Sequence, residues 1–597
     1  MTSLSASEKQ RGRTSTDTFS KDGTATAAPN VNLPKDEKLI SDRSSNDASS
    51  NNASSNDGLD NGGRLTQQQS NIPSVWLAET MSLPREVMFV IICCMAQFCT
   101  RKWNTASHHH AQRAAVGLTH ILSPLPPEAA YIESLLMLHV IGSSFHVEDP
   151  ARLAWLVAGY SLTIGTFILF SGRLGDAFGY KRMLIIGFAW FSLWSLVAGL
   201  SVYSNFTLAV VSRVLQGIGP AICLPNALAL FGATYPPGHR KAMVFSFFGA
   251  VAPMGGVIGG AVACVLELAW WPWAMWALSI WLAILAVAGC FIIPEPPTKL
   301  PAPKGFKALV VELDIPGAVT GVAALVLFNF AWNMAPIAGW GTPVVLVPLV
   351  LGLVLFGVFA VIEFKYAPMP LLPFEVVNAN VGFVLAAVVC GWATFGIWSL
   401  YLVQILQEIR GLSPLLTCAW FAPVVVMGGL AAVITGKLLG PLQVRPPVVM
   451  TMALAAFTVG VILTATAPEN QVYWAQIFVS MLVMPFGMDM SFPAATLILS
   501  DAVKKEHQGI GASLVNTVVN YGIALGVGFA GTVEVHVNNG GRTKDDQLRG
   551  FRGALYMGVG LAVLGLGVAL TFLAREWRHR SGGKGNKEKA AEAQTQT

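Results

Sequence analysis

The chain has 597 residues, of which 53% are hydrophobic and 12% charged, with a formal net charge of +5. The charged share is about half that of an ordinary soluble domain. With a mean hydropathy of +0.56 and apolar runs recurring from residue 80 to 573, this excludes a string of soluble domains. The small positive charge falls in loops and tails, where it orients a membrane protein rather than binding nucleic acid.

In chain order, residues 1–75 are polar and rich in Ser, Asn and Asp. They carry too little apolar surface to fold and are expected to form a disordered cytoplasmic tail without a cleavable signal peptide. Apolar spans follow at 85–100, 153–171, 183–203, 206–231, 243–265 and 272–293. A polar linker at 294–313 contains Pro and Lys, and two spans at 314–334 and 343–362 come next. The last six run at 379–402, 415–436, 447–467, 471–499, 510–533 and 551–573, before a basic tail at 574–597. Each is near the ~20 residues a membrane helix needs, except the first. With both termini in the cytoplasm, compact basic clusters such as Arg240/Lys241 and Lys504/Lys505 fall on the inner side, as membrane orientation requires. The expected architecture is an all-α polytopic membrane protein with fourteen transmembrane helices.

The first span is interrupted. Its apolar part, 87–100, is too short to cross, and Arg101-Lys102, His108-His109-His110 and three prolines follow before apolar residues resume at 135–141. Joining 87–100 to 135–141 restores one ordinary span. Residues 101–134 therefore read as an insertion or a gene-model artefact. The histidine run has no companion boxes of the kind metal enzymes need, and no metal site is expected. Cys93, Cys94, Cys99, Cys223, Cys264, Cys290, Cys390 and Cys418 all lie in or at apolar spans, so neither disulfides nor zinc is expected.

Three sequence patterns carry chemistry. Between the second and third spans lies Gly172-Arg173-Leu174-Gly175-Asp176-Ala177-Phe178-Gly179-Tyr180-Lys181-Arg182, a tight polar turn whose acid can pair with a base or a helix N-terminus. In the fourth span, Arg213 heads Arg213-Val214-Leu215-Gln216-Gly217-Ile218-Gly219-Pro220-Ala221. An arginine there either faces a wet cavity or an acid, or snorkels from the helix end. In the fifth, Gly249, Pro253, Gly255, Gly256, Gly259 and Gly260 allow close helix packing and a bend. Gly436-Lys437-Leu438 with Arg445 echoes the first pattern at the tenth span. The echo implies a repeated half that begins at the ninth span, with the seventh and eighth inserted. The halves are then 84–293 and 379–573, with the extra pair at 314–363.

These patterns resemble motifs A and B, and in part motif C, of the major facilitator superfamily. Motif C is partial because Ala252-Pro253 stands where a Gly-Pro pair is usual. Fourteen spans point to the drug:proton antiporter type 2 branch. Asp314-Ile-Pro316-Gly317, Pro485-Phe-Gly-Met-Asp489-Met-Ser491 and His507-Gln508-Gly509 are similar to the fungal aminotriazole- and boron-resistance type, itself similar to low-affinity ammonium transporters. The resemblance implies a major facilitator fold of two six-helix halves rocking about a central site, proton-coupled efflux of a small toxic solute, and no cofactor beyond the proton gradient. It ties Arg213 to proton coupling.

Asp489, deep in the twelfth span, either titrates or pairs with a neighbouring helix, and is the second coupling candidate. Gln216, Asn329, Asn333, Asn516 and Asn520 are candidates for the substrate cavity or for interhelical bonds. Asn205-Phe206-Thr207 is an outward glycosylation sequon. No ATP-binding loop or catalytic constellation appears, and the chain is expected not to be an enzyme. Expected partners are a small-molecule substrate and the lipid bilayer, not nucleic acid, with the chain a monomer. The expected location is the cell membrane, with the vacuolar membrane as alternative. Low-affinity uptake, for example of ammonium, or a non-transporting membrane sensor or inactive homologue, is the alternative function.

Overall fold

The computed structural model describes residues 81–98, 127–236, 240, 244, 252–295, 305–371, 379–502 and 508–595. The polar tail, the histidine cluster and Gly249 lie outside the described residues. No strand occurs among the described residues. The helices of the first half are α1 (Leu83–Phe98), α2 (Pro127–Leu136), α3 (Leu138–Ser144), α4 (Pro150–Leu153), α5 (Trp155–Phe178), α6 (Tyr180–Leu200), α7 (Phe206–Gln216), α8 (Ile218–Thr234), α9 (Ala252–Glu267) and α10 (Pro272–Ile292). The short α11 (Phe306–Glu312) leads into the extra pair, α12 (Ile315–Ala338) and α13 (Pro343–Val361). The second half holds α14 (Ala379–Gln404), α15 (Pro414–Trp420), α16 (Ala422–Leu439), α17 (Pro446–Ala465), α18 (Gln476–Ala502), α19 (Gln508–Val537) and α20 (Lys544–Thr595). The basic tail thus continues α20 rather than leaving it.

Twelve helical stretches among the described residues are long and apolar enough to cross a membrane. The other two of the fourteen expected spans, the first and the fifth, are only partly among the described residues, the fifth as α9 from Ala252 on. Helix starts are set by local chemistry. Asn205 caps α7 by accepting from Leu208 N at 2.8 Å, and Ser413 caps α15, with Pro414 following, both satisfying amides that a helix start leaves free.

Within the segment expected to be an insertion, residues 127–134 are described and belong to helix α2, which runs on to Leu136. Ala130, Tyr131, Glu133 and Ser134 are all buried. Pieces α1 and α3 meet opposite ends of α10: Arg85 Nε donates to Ile292 O at 3.3 Å, and Trp271 Nε1 donates to Ser144 Oγ at 3.2 Å. Phe89 packs edge-on against Phe231 and stacks on Tyr235 at the end of α8. The described parts of the first span thus lie along α10 from one end to the other.

Helix α12 packs on α13, on α5 of the first half and on α19 of the second. Trp155 and Phe330 rings lie 5.5 Å apart, and Tyr521 Oη donates to Leu325 O at 3.0 Å. Helix α13 touches mainly α12 and buries only Val345 and Gly352, the pattern of a lipid-facing helix.

Candidate functional site

Arg213 is the most deeply buried cation described, 1% exposed. It sits one turn before the break between α7 and α8 at Gly217. A Cβ on Gly217 would lie 2.4 Å from Tyr160 O, so glycine is what lets α7 close onto α5. The guanidinium then meets a ready-made cradle. Nε donates to Leu156 O at 3.2 Å, Nη2 to Ala130 O at 2.8 Å, and Nη1 to Gln216 Oε1. Its carbon lies 4.5 Å from the centre of the Tyr160 ring, a cation–π contact. Gln216 passes the chain of bonds on to Ser195 Oγ at 2.6 Å. This excludes the snorkelling reading of Arg213 and makes Gln216 an interhelical tie.

The acid beside this cradle is Glu133, one turn after Ala130 on α2, 1% exposed, with Oε1 free of any hydrogen-bond partner. The charges of Glu133 and Arg213 act on each other. Sequence reasoning missed Glu133 because it lay within the suspected insertion; an isolated acid between apolar residues at 129–141 was the signal available. Asp489 is not among the groups around Arg213. It sits in the other half on α18, where its carbonyl accepts from Thr435 Oγ1 at 3.4 Å.

The motif A segment is helical almost throughout. Helix α5 runs to Phe178 and α6 starts at Tyr180, with Gly179 alone between them at φ +95°, a conformation that favours glycine. Arg173 does not stay local: Nη1 donates to Glu312 O at 3.3 Å and Met369 O at 3.0 Å, and Nη2 donates to Pro370 O. The charges of Asp314, Glu363 and Asp176 also act on it. Asp314, the N-cap of α12, and Glu363, just beyond α13, are both buried. Asp176 is exposed and accepts from Tyr180 Oη. Lys181 and Arg182 follow in the first turn of α6.

The glycine face of α9 meets both halves. A Cβ on Gly260 would come 2.8 Å from Ile132 Cγ2 and 3.5 Å from Cys418 Sγ, and one on Gly256 would come 3.2 Å from Ile132 Cγ1. Further ties join the halves on this side: Tyr131 Oη and Ser399 Oγ at 3.0 Å, Gln407 Nε2 to Leu136 O at 2.8 Å, and His139 Nδ1 to Glu408 Oε1 at 2.9 Å. The amides group in pairs. Asn333 Nδ2 donates to Asn329 Oδ1 at 2.8 Å and to Ala524 O at 3.3 Å, and Asn520 Nδ2 donates to Asn516 O at 3.1 Å. Among the described residues no three His, Cys, Asp or Glu side chains cluster as metal ligands do.

Against known proteins, residues 131–527 match the Major Facilitator Superfamily. The chain belongs to that superfamily. This major facilitator is 51% identical over 449 residues to the low affinity ammonium transporter of Saccharomyces cerevisiae, covering 75% of this chain and 86% of that one. It is 43% identical to efflux pump terJ of Aspergillus terreus over 83% of this chain and 90% of the pump. It is 37% identical to the aminotriazole resistance protein of S. cerevisiae, over 75% and 81% of the two chains. The chain is thus a multi-pass membrane transporter whose relatives include efflux and resistance proteins. The superfamily match starts inside α2 and so takes in Glu133.

Proposed function

We propose that this transporter exports a small toxic solute in exchange for protons, with Glu133 and Arg213 as the coupling pair of the first half. The observation that carries this reading is a fully buried carboxylate with an unpartnered oxygen beside a fully buried arginine. In a low-dielectric site the charge on such a carboxylate depends strongly on its distance from the guanidinium. A rocking motion that draws α2 from α7 favours the protonated acid, and the return favours its release. Asp489 is the proposed second protonatable site, in the other half. We further propose that the protein works as a monomer at the cell surface, with the vacuolar membrane as the alternative that membrane fractionation separates.

The test is efflux of radiolabelled aminotriazole from vesicles loaded inside, under an imposed pH gradient, with and without a protonophore. Wild-type efflux is expected to collapse with the protonophore. Glu133→Gln is expected to lose gradient-driven efflux by about tenfold or more, the scale of general acid–base and charge contributions, while exchange without a gradient persists. Efflux by the variant at the wild-type rate removes Glu133 from coupling.

The second reading is low-affinity uptake of ammonium, supported by the 51% identity to a transporter of that name. Ammonium accumulation that needs the intact chain and no outward drug flux favours it.

A further inference from the structure

A narrow pocket away from Arg213 lies where α4, α12, α14 and α19 converge, lined by Pro150, Asn333, Tyr401, Gln404 and Glu534 among others. Several of its polar groups offer acceptors. Glu534 is 5% exposed, and its Oε2 accepts from Tyr401 Oη at 2.8 Å. That bond uses the tyrosine proton and leaves its oxygen lone pairs free. Gln404 is 1% exposed and its Oε1 has no hydrogen-bond partner. Asn333 spends its amide hydrogens on Asn329 and Ala524, leaving its carbonyl oxygen. The negative charge of Asp149, which caps α4 through Ala151 N, also acts on Glu534. No Lys, Arg or His lines the pocket among the described residues.

We propose that this pocket binds a small cation bearing N–H groups, ammonium or the head of a primary amine, between Glu534 and Gln404. A buried acceptor without a donor is costly, and here a carboxylate and an amide oxygen are held toward one space too narrow for a bulky ligand. A cation with several N–H donors satisfies them together and offsets the carboxylate charge. A quaternary ammonium has the charge without the donors, and sodium, which oxygens ligate directly, lacks the N–H hydrogens that pair with each acceptor separately. The site rests on the transport reading only for its biological use, not for its chemistry.

The test uses the full chain in lipid nanodiscs, with calorimetric titration of methylammonium chloride against sodium chloride and tetramethylammonium chloride at equal ionic strength. Methylammonium is expected to bind, and the other two not. Glu534→Gln is expected to weaken binding by about tenfold or more, the effect of a hydrogen bond to a charged group. Gln404→Leu is expected to weaken it as well. Equal heats from tetramethylammonium or sodium overturn the site, as does unchanged affinity in Glu534→Gln. If that variant does not fold, Gln404→Leu decides alone, and unchanged affinity there overturns the proposal. Methylammonium binding without gradient-driven export leaves the site standing and overturns the export reading. Export without methylammonium binding does the reverse.

Discussion

Arg213 shows how much a single buried charge organises. Two backbone carbonyls, a glutamine oxygen and an aromatic face surround it, so its geometry demands a planar fork of donors. Lysine cannot reproduce that fork, and Arg213→Lys is expected to keep the fold and lose transport. Arg213→Ala leaves Leu156 O, Ala130 O and Gln216 Oε1 without their donor, and a buried acceptor left unsatisfied costs about 1–3 kcal/mol; a lowered melting temperature of the purified chain checks it. Gly217 beside it is a packing residue. A Cβ there meets Tyr160 O at 2.4 Å and Thr163 Oγ1 at 2.2 Å, and the backbone oxygen cannot swing away. Gly217→Val is therefore expected to lose about 1–3 kcal/mol, the usual cost of overpacking, and to reduce expression and activity in parallel.

Among the elements, the extra pair is tied to motif A. Arg173 leaves its own turn to bond three carbonyls beside α12 and α13, whereas Asp176 bonds the neighbouring Tyr180. A ranking follows. Arg173→Ala is expected to reduce transport by about tenfold, on the scale of lost charge-assisted hydrogen bonds, and Asp176→Asn by less, both at normal expression. Initial transport rates normalised to surface protein check this. Larger loss in Asp176→Asn would show that the local contact matters more. Much of this was legible in the sequence. Runs of apolar residues placed the helices, because a membrane span needs its whole length apolar. Motif spacing marked Arg173 and Arg213. Their partners were not legible. Glu133, Asp314 and Glu363 come from distant segments, and spacing along a chain carries no record of which helix will lie alongside. Motif A read as a loop because its residues are polar; it is helix, since polar residues at a helix end are well solvated and one glycine suffices for the turn.

At the scale of the molecule, the two halves meet along two seams. One is formed by α5 and α19, where a Cβ on Gly165 would lie 2.7 Å from Tyr521 N. The other is formed by α9 with α15 and α16. The ties at Tyr131–Ser399 and His139–Glu408 join the halves between them. Helix α12 contacts both α5 and α19, so the extra pair lies over the first seam, and the second has no such cover among the described residues. For an oily molecule dissolved in the bilayer, the two sides of the protein then differ in depth of cover. Lateral approach to the first seam must pass α12 and α13 before it meets α5 and α19, whereas α9 and α16 carry no second layer among the described residues. A photoactivatable lipophilic drug analogue is expected to label peptides of α9, α15 and α16 well ahead of those of α5 and α19. Equal labelling of the two seams would mean that the extra pair, though it fills the gap between the halves, does not decide where a solute leaves the leaflet.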